Sequence, residues 1–223
     1  MTLRKYITNF MLISAVAFSA VAVAPLRAAQ AAPTDGVSTG IALDAGPVTA
    51  SVRASSTLAW LDRYSTTLDP RAFTAFSAGR DALAADIATQ LMIDPARMQA
   101  AWAGADIDHQ VALMTGLSQL GVPYRRNTSK PGVSFDCSGL TTYAWSEAGY
   151  ALARNSRAQI NASAKRTHET AQAGDLVYYP GHIMMWLGVD GAILHSPFTG
   201  RNVEVSYIRG GRLKSVRFGD PTG

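Results

Sequence analysis

The chain carries a single cysteine, Cys137, in the run Phe135-Asp136-Cys137-Ser138-Gly139-Leu140. Two of its four histidines, His182 and His195, come later in apolar runs with strand-like alternation. A thiolate attacks carbonyl carbon well, provided a base can hold its proton and a third group orients that base. One thiol with two strand-borne imidazoles therefore has the parts of a cysteine hydrolase. Each part alone also has a structural reading. A lone cysteine in a short apolar helix can be a small buried hydrophobe, and a strand-end histidine a hydrogen-bonded rim residue. Asp136 is a good N-cap and sets Cys137 in the first turn of its helix. There the unpaired amides and the helix dipole favour negative charge, so the thiol pKa is expected to fall toward neutrality.

The elements that must position these groups follow from periodicity. An amphipathic helix is expected from Asp106 to Leu120, with Ile107, Val111, Met114 and Leu117 as its apolar face and Gly121 as its stop. On that helix His109 is expected to point to solvent. The cysteine helix runs over about 137–148, striped by Leu140, Tyr143, Ala144 and Ala148. The period then falls to two. Strands are expected at Asp175–Tyr179, His182–Leu187, Ala192–His195 and Asn202–Tyr207, with turns at Pro180-Gly181, Asp190-Gly191 and Thr199-Gly200. Alternation puts His182, Met184 and Trp186 on one face and His195 on the face of Ile193. A hairpin of these two strands would set the imidazoles side by side, facing the helix N-terminus. Helices followed by an antiparallel meander give an α+β class.

The N-terminal part reads differently. Residues 1–31 show a basic start (Arg4, Lys5), an apolar run from Phe10 to Ala24 and small residues at Ala29 and Ala31, the pattern of a secretory signal peptide. An uncleaved anchor is the rival reading. A lone thiol in an exported protein cannot form an internal disulfide, which strengthens the case for chemistry. Residues 32–56 read as a flexible linker rich in small residues. Residues 57–105 read as a helical extension of three short helices, with Asp69-Pro70 and Asp94-Pro95 as starts. Residues 106–220 form the expected catalytic domain. Without the signal segment, 17 basic residues face 16 acids. That balance carries no nucleic-acid footprint. The histidine and acid spacing suggests no metal site, with His168 also expected on the surface, and no cofactor motif is present.

Residues from about 110 to 207 resemble the NlpC/P60 family of bacterial cell-wall endopeptidases, which have a papain-like core. The resemblance rests on Leu120-Gly121-Val122-Pro123-Tyr124, the Asp136-Cys137-Ser138-Gly139-Leu140 run, Gly174-Asp175-Leu176-Val177, His182-Ile183 with Leu187-Gly188 behind it, and Ile193-Leu194-His195. It implies Cys137 as nucleophile, His182 as general base and His195 as the polar group that orients the base. It also implies Tyr124 beside the nucleophile, with Asp136 and Ser138 lining the substrate groove. The implied substrate is the peptide stem of peptidoglycan, often cut after D-γ-glutamate and before a diamino acid. Departures are Arg125-Arg126-Asn127 where relatives commonly carry Gly-Gly, Leu152-Ala153-Arg154 for Leu-Pro-Arg, and Met184 for a glycine. Two alternatives stay open on the same fold: a non-catalytic wall-binding or scaffold module, and an amidase or acyltransferase. Nothing in the sequence sets an oligomeric state.

Overall fold

The computed structural model describes residues 46–208 and 210–223. The expected signal peptide lies outside the described residues. The linker expected over 32–56 is corrected in its later part, because a helix α1 spans Gly46–Thr67. Ala50, Ala54, Thr57 and Leu61 recur on one face and are all buried. The small side chains that suggested a tether serve instead to let neighbouring helices approach. At Gly79 even a methyl would overlap the side chain of Thr57.

The three short helices expected over 57–105 are two long ones and a short one. After α1 come α2 (Pro70–Gln90) and α3 (Pro95–Gly104). Both starts behave as the Asp-Pro pairs require: Asp69 and Asp94 accept hydrogen bonds from the amides two residues on, at 3.0 and 2.9 Å. Among the described residues no helix is long and apolar enough to cross a membrane.

Helix α4 (Ile107–Leu117) follows, then a small hairpin of β1 (Ser129–Lys130) and β2 (Ser134–Phe135). Next come α5 (Cys137–Glu147) and α6 (Ser156–Ala162). A six-stranded antiparallel sheet is built from β3 (Ala164–Arg166), β4 (Leu176–Tyr179), β5 (His182–Trp186), β6 (Ala192–His195), β7 (Glu204–Tyr207) and β8 (Arg217–Asp220), in the order β3-β8-β4-β5-β6-β7. The expected meander is its four strands β4–β7. The β5–β6 turn has positive φ at Asp190 and Gly191, the backbone that suits a tight right-twisted hairpin.

The two sheet faces bury different sets. Ile183, Met185 and Leu194 join Leu140 and Ala144 of α5 and Met114 of α4 in the main core; Met184, Trp186, Ile193 and Phe218 form a smaller cluster. The main core also takes in Phe76, Leu83, Ile87, Met98 and Trp102, so the helical extension and the sheet share one interior. Each of these side chains stabilises the fold by about 1.5–3 kcal/mol when fully buried. Trp102 Nε1 donates to Leu187 O at 2.9 Å, and Arg97 pairs with Asp190 at 2.6 Å, so α3 is fastened to the β5–β6 hairpin.

With α1 and α5 both packed against α4, residues 108–117 are all buried. This overturns the expectation for His109, which has no exposed side chain and lies 3.0 Å from Asp175 and 3.2 Å from Asp220. The amphipathic reading assumed one wet face, and this helix has none.

Candidate active site

Asp136 leaves β2 in extended conformation and caps α5, its Oδ1 accepting from Gly139 N at 2.7 Å. Oδ2 accepts from Asn127 N at 2.7 Å, and Arg154 clamps both oxygens. Ser138 Oγ donates to Arg154 O at 2.9 Å. Gly139 has no substitute here, since a β-carbon would overlap Thr128 O. Asp136 and Ser138 are each 7% exposed, with their polar atoms spent on these bonds. These bonds hold the loop that presents Cys137.

Cys137 opens α5 and is half-buried. Burial pushes its thiol pKa up, against the backbone amides of Ile183, Ser138 and Cys137 itself, which favour the thiolate. The neighbouring Asp136 carboxylate adds to the rise. The fall toward neutrality expected from the helix terminus is therefore corrected in direction: desolvation outweighs the amides. The Ile183 amide belongs to β5, against which α5 packs.

His182 and His195 lie on neighbouring antiparallel strands and are bonded to each other, His182 Nε2 to His195 Nδ1 at 2.9 Å. Nδ1 of His182 has no hydrogen-bond partner among the described residues. Burial and the adjacent His195 push the pKa of His182 down to about 4. On its far side His195 Nε2 lies 3.2 Å from Ser206 Oγ and 3.4 Å from Glu204 Oε1. The thiol and imidazole are thus both neutral at neutral pH. A neutral thiol and a neutral imidazole do not form an ion pair at rest. Tyr124 is part-buried close enough to feel Cys137, and burial, followed by that neighbour, pushes its phenol up.

Arg154, Glu204 and Ser206 had gone unnoticed as site residues. Glu204 faces His195 directly across the β6–β7 pair, so it becomes visible only once that register is known. The buried His109, Asp175 and Asp220 also went unseen. They offer three metal-ligand atoms within 4.8 Å. Their spacings are those of an imidazole N–H shared between two carboxylates, with Arg166 paired to Asp220 behind them. The cluster ties α4 to the sheet. Gly174, whose β-carbon would press on His109 O, brings Asp175 into place. His168 is exposed as expected, packed edge-on against Trp186 and Phe218.

Comparison with known proteins adds to this geometry. Residues 121–220 match the model of the NlpC/P60 family. A probable endopeptidase of Corynebacterium glutamicum (strain R) is 32% identical over 192 residues, covering 82% of each chain.

The chain belongs to the NlpC/P60 family.

Peptidoglycan endopeptidase RipA of Mycolicibacterium smegmatis is 34% identical over 116 residues, which is 45% of this chain and 23% of RipA. The chain thus spans less than a quarter of that relative's length. Among solved structures, the P60 domain of an antigen from M. avium subspecies paratuberculosis is 25% identical, with a TM-score of 0.46 over 52% of this chain and 96% of that one. The α+β fold of helices beside an antiparallel sheet is the one expected of the family.

Proposed function

We propose that the protein is a cysteine endopeptidase acting outside the cytoplasmic membrane on peptide stems of peptidoglycan. One arrangement carries this reading: α5, which Cys137 opens, packs on β5, whose His182 is bonded to His195. Relatives named as peptidoglycan endopeptidases support the substrate class.

In this mechanism His182 takes the Cys137 proton as sulfur attacks the stem carbonyl. The amides at the start of α5, with Tyr124 beside them, stabilise the developing oxyanion. His182 then returns the proton to the departing amine, leaving a thioester on Cys137. Water, deprotonated by His182, hydrolyses that thioester and frees the thiol. His195 holds the ring of His182 throughout. The bond between D-γ-glutamate and a diamino acid is the proposed point of cleavage.

Digestion of purified sacculi with fragment identification by mass tests the reading. The expected products carry a new amine on the diamino acid. Release of an acyl group from a non-wall substrate, with sacculi untouched, would favour the acyltransferase alternative.

A further inference from the structure

His195 can sit in either of two neutral tautomers, and the choice decides whether His182 can be a base. If His195 carries its proton on Nε2, its Nδ1 is an acceptor. His182 must then donate from Nε2, which leaves Nδ1 of His182 with a free lone pair. In the opposite tautomer His195 donates from Nδ1. His182 then accepts at Nε2, carries its own proton on Nδ1, and has nothing with which to take a proton from sulfur.

Two groups reach His195 Nε2: Ser206 Oγ at 3.2 Å and Glu204 Oε1 at 3.4 Å. The hydroxyl can donate or accept, so it suits either tautomer. An ionised carboxylate only accepts. We propose that Glu204 is a positioning residue that fixes both histidines as Nε2–H tautomers and so leaves Nδ1 of His182 as the free base. The proposal rests on the cysteine-peptidase reading.

The surroundings of Glu204 keep it in the accepting form. Arg201 donates to it from Nη2 at 2.5 and 2.7 Å and from Nε at 3.1 Å. Burial alone would raise its pKa, yet the hydrogen bonds from His195 and Arg201 hold it below the usual carboxylate range. The strand register places it: His195 and Glu204 are direct cross-strand partners, whereas Ser206 is paired with Ile193 and reaches over diagonally. Arg201 is half-exposed at the rim, and its side chain lies over Phe198, so the guanidinium is held at the outer end of the chain of bonds. When His182 takes the thiol proton, the imidazolium leans on His195, and the Glu204 charge behind it stabilises the positive charge that builds up there.

The test is the tautomer itself, read by two-bond nitrogen–hydrogen correlation spectra of the full chain labelled with ¹⁵N-histidine at neutral pH. The wild type is expected to show Nε2–H on both His182 and His195. Glu204→Ala is expected to show a mixture with Nδ1–H forms, and Ser206→Ala to keep the wild-type tautomers. Glu204→Gln retains shape and, because an amide can donate, is also expected to mix them; it serves if the alanine variant does not fold. In the two Glu204 variants kcat on a stem peptide should fall about tenfold with KM little changed, and in Ser206→Ala it should hold. Wild-type Nδ1–H on His195, or unaltered tautomers in both Glu204 variants, would overturn the proposal. A wild type with these tautomers but no cleavage would instead count against the peptidase reading.

Discussion

Arg154 grips Asp136 with both ends of its guanidinium, Nη1 to Oδ1 at 2.9 Å and Nη2 to Oδ2 at 2.8 Å. The same carboxylate caps α5 and receives the Asn127 amide, so one arginine steadies the turn that presents Cys137. Arg154→Ala is expected to cost about 2 kcal/mol in urea unfolding, a middling value because the guanidinium is 43% exposed while Asp136 is buried. Arg154→Lys should recover only part of this, since an ammonium cannot bridge both oxygens.

Acid should weaken the fold through His182. Its imidazole gains a proton near pH 4 in the folded chain and near 6.5 when unfolded, so between those values the unfolded chain binds more protons. Its contribution is whole above about pH 6.5 and falls by roughly 3 kcal/mol as pH drops to 4. Urea titrations across that range should show the slope in the wild type. His182→Gln should flatten it by about that amount, and equal slopes would remove the burial argument.

The thiol should behave as an ordinary or weaker acid. Burial raises its pKa, so alkylation by iodoacetamide should be slow at neutral pH and still climbing beyond the usual thiol value of about 8.5. A rate that levels off well below pH 8 would mean a preformed thiolate–imidazolium pair.

Removing His109 leaves Asp175 and Asp220 buried together without the group between them. His109→Ala is expected to destabilise by about 3–5 kcal/mol in urea unfolding. Asp175→Asn in the same background should restore part of the loss, because one of the facing charges is then gone.

These residues also show where the sequence was readable. Period-two alternation and glycine turns placed β5 and β6 almost to the residue, and the Asp-Cys pair marked the start of α5 correctly. Both are local signals. His109 was misplaced because helical periodicity cannot tell one covered face from two. Glu204 stayed hidden because its partner is set by strand register, a long-range property. The helix over Gly46–Thr67 was missed from its start to about residue 56, because Ala, Ser and Thr look like a tether until a neighbouring helix is there to pack them. The short strands β3 and β8 escaped for a similar reason: they pair chiefly with each other and with β4, far away along the chain.

Purified sacculi incubated with the wild type and with Cys137→Ala, at equal concentration and matched unfolding midpoints, give the decisive comparison. Soluble stem fragments from the wild type alone are expected. Equal release by the alanine variant would contradict Cys137 as the nucleophile, and with it the mechanism built on His182 and His195.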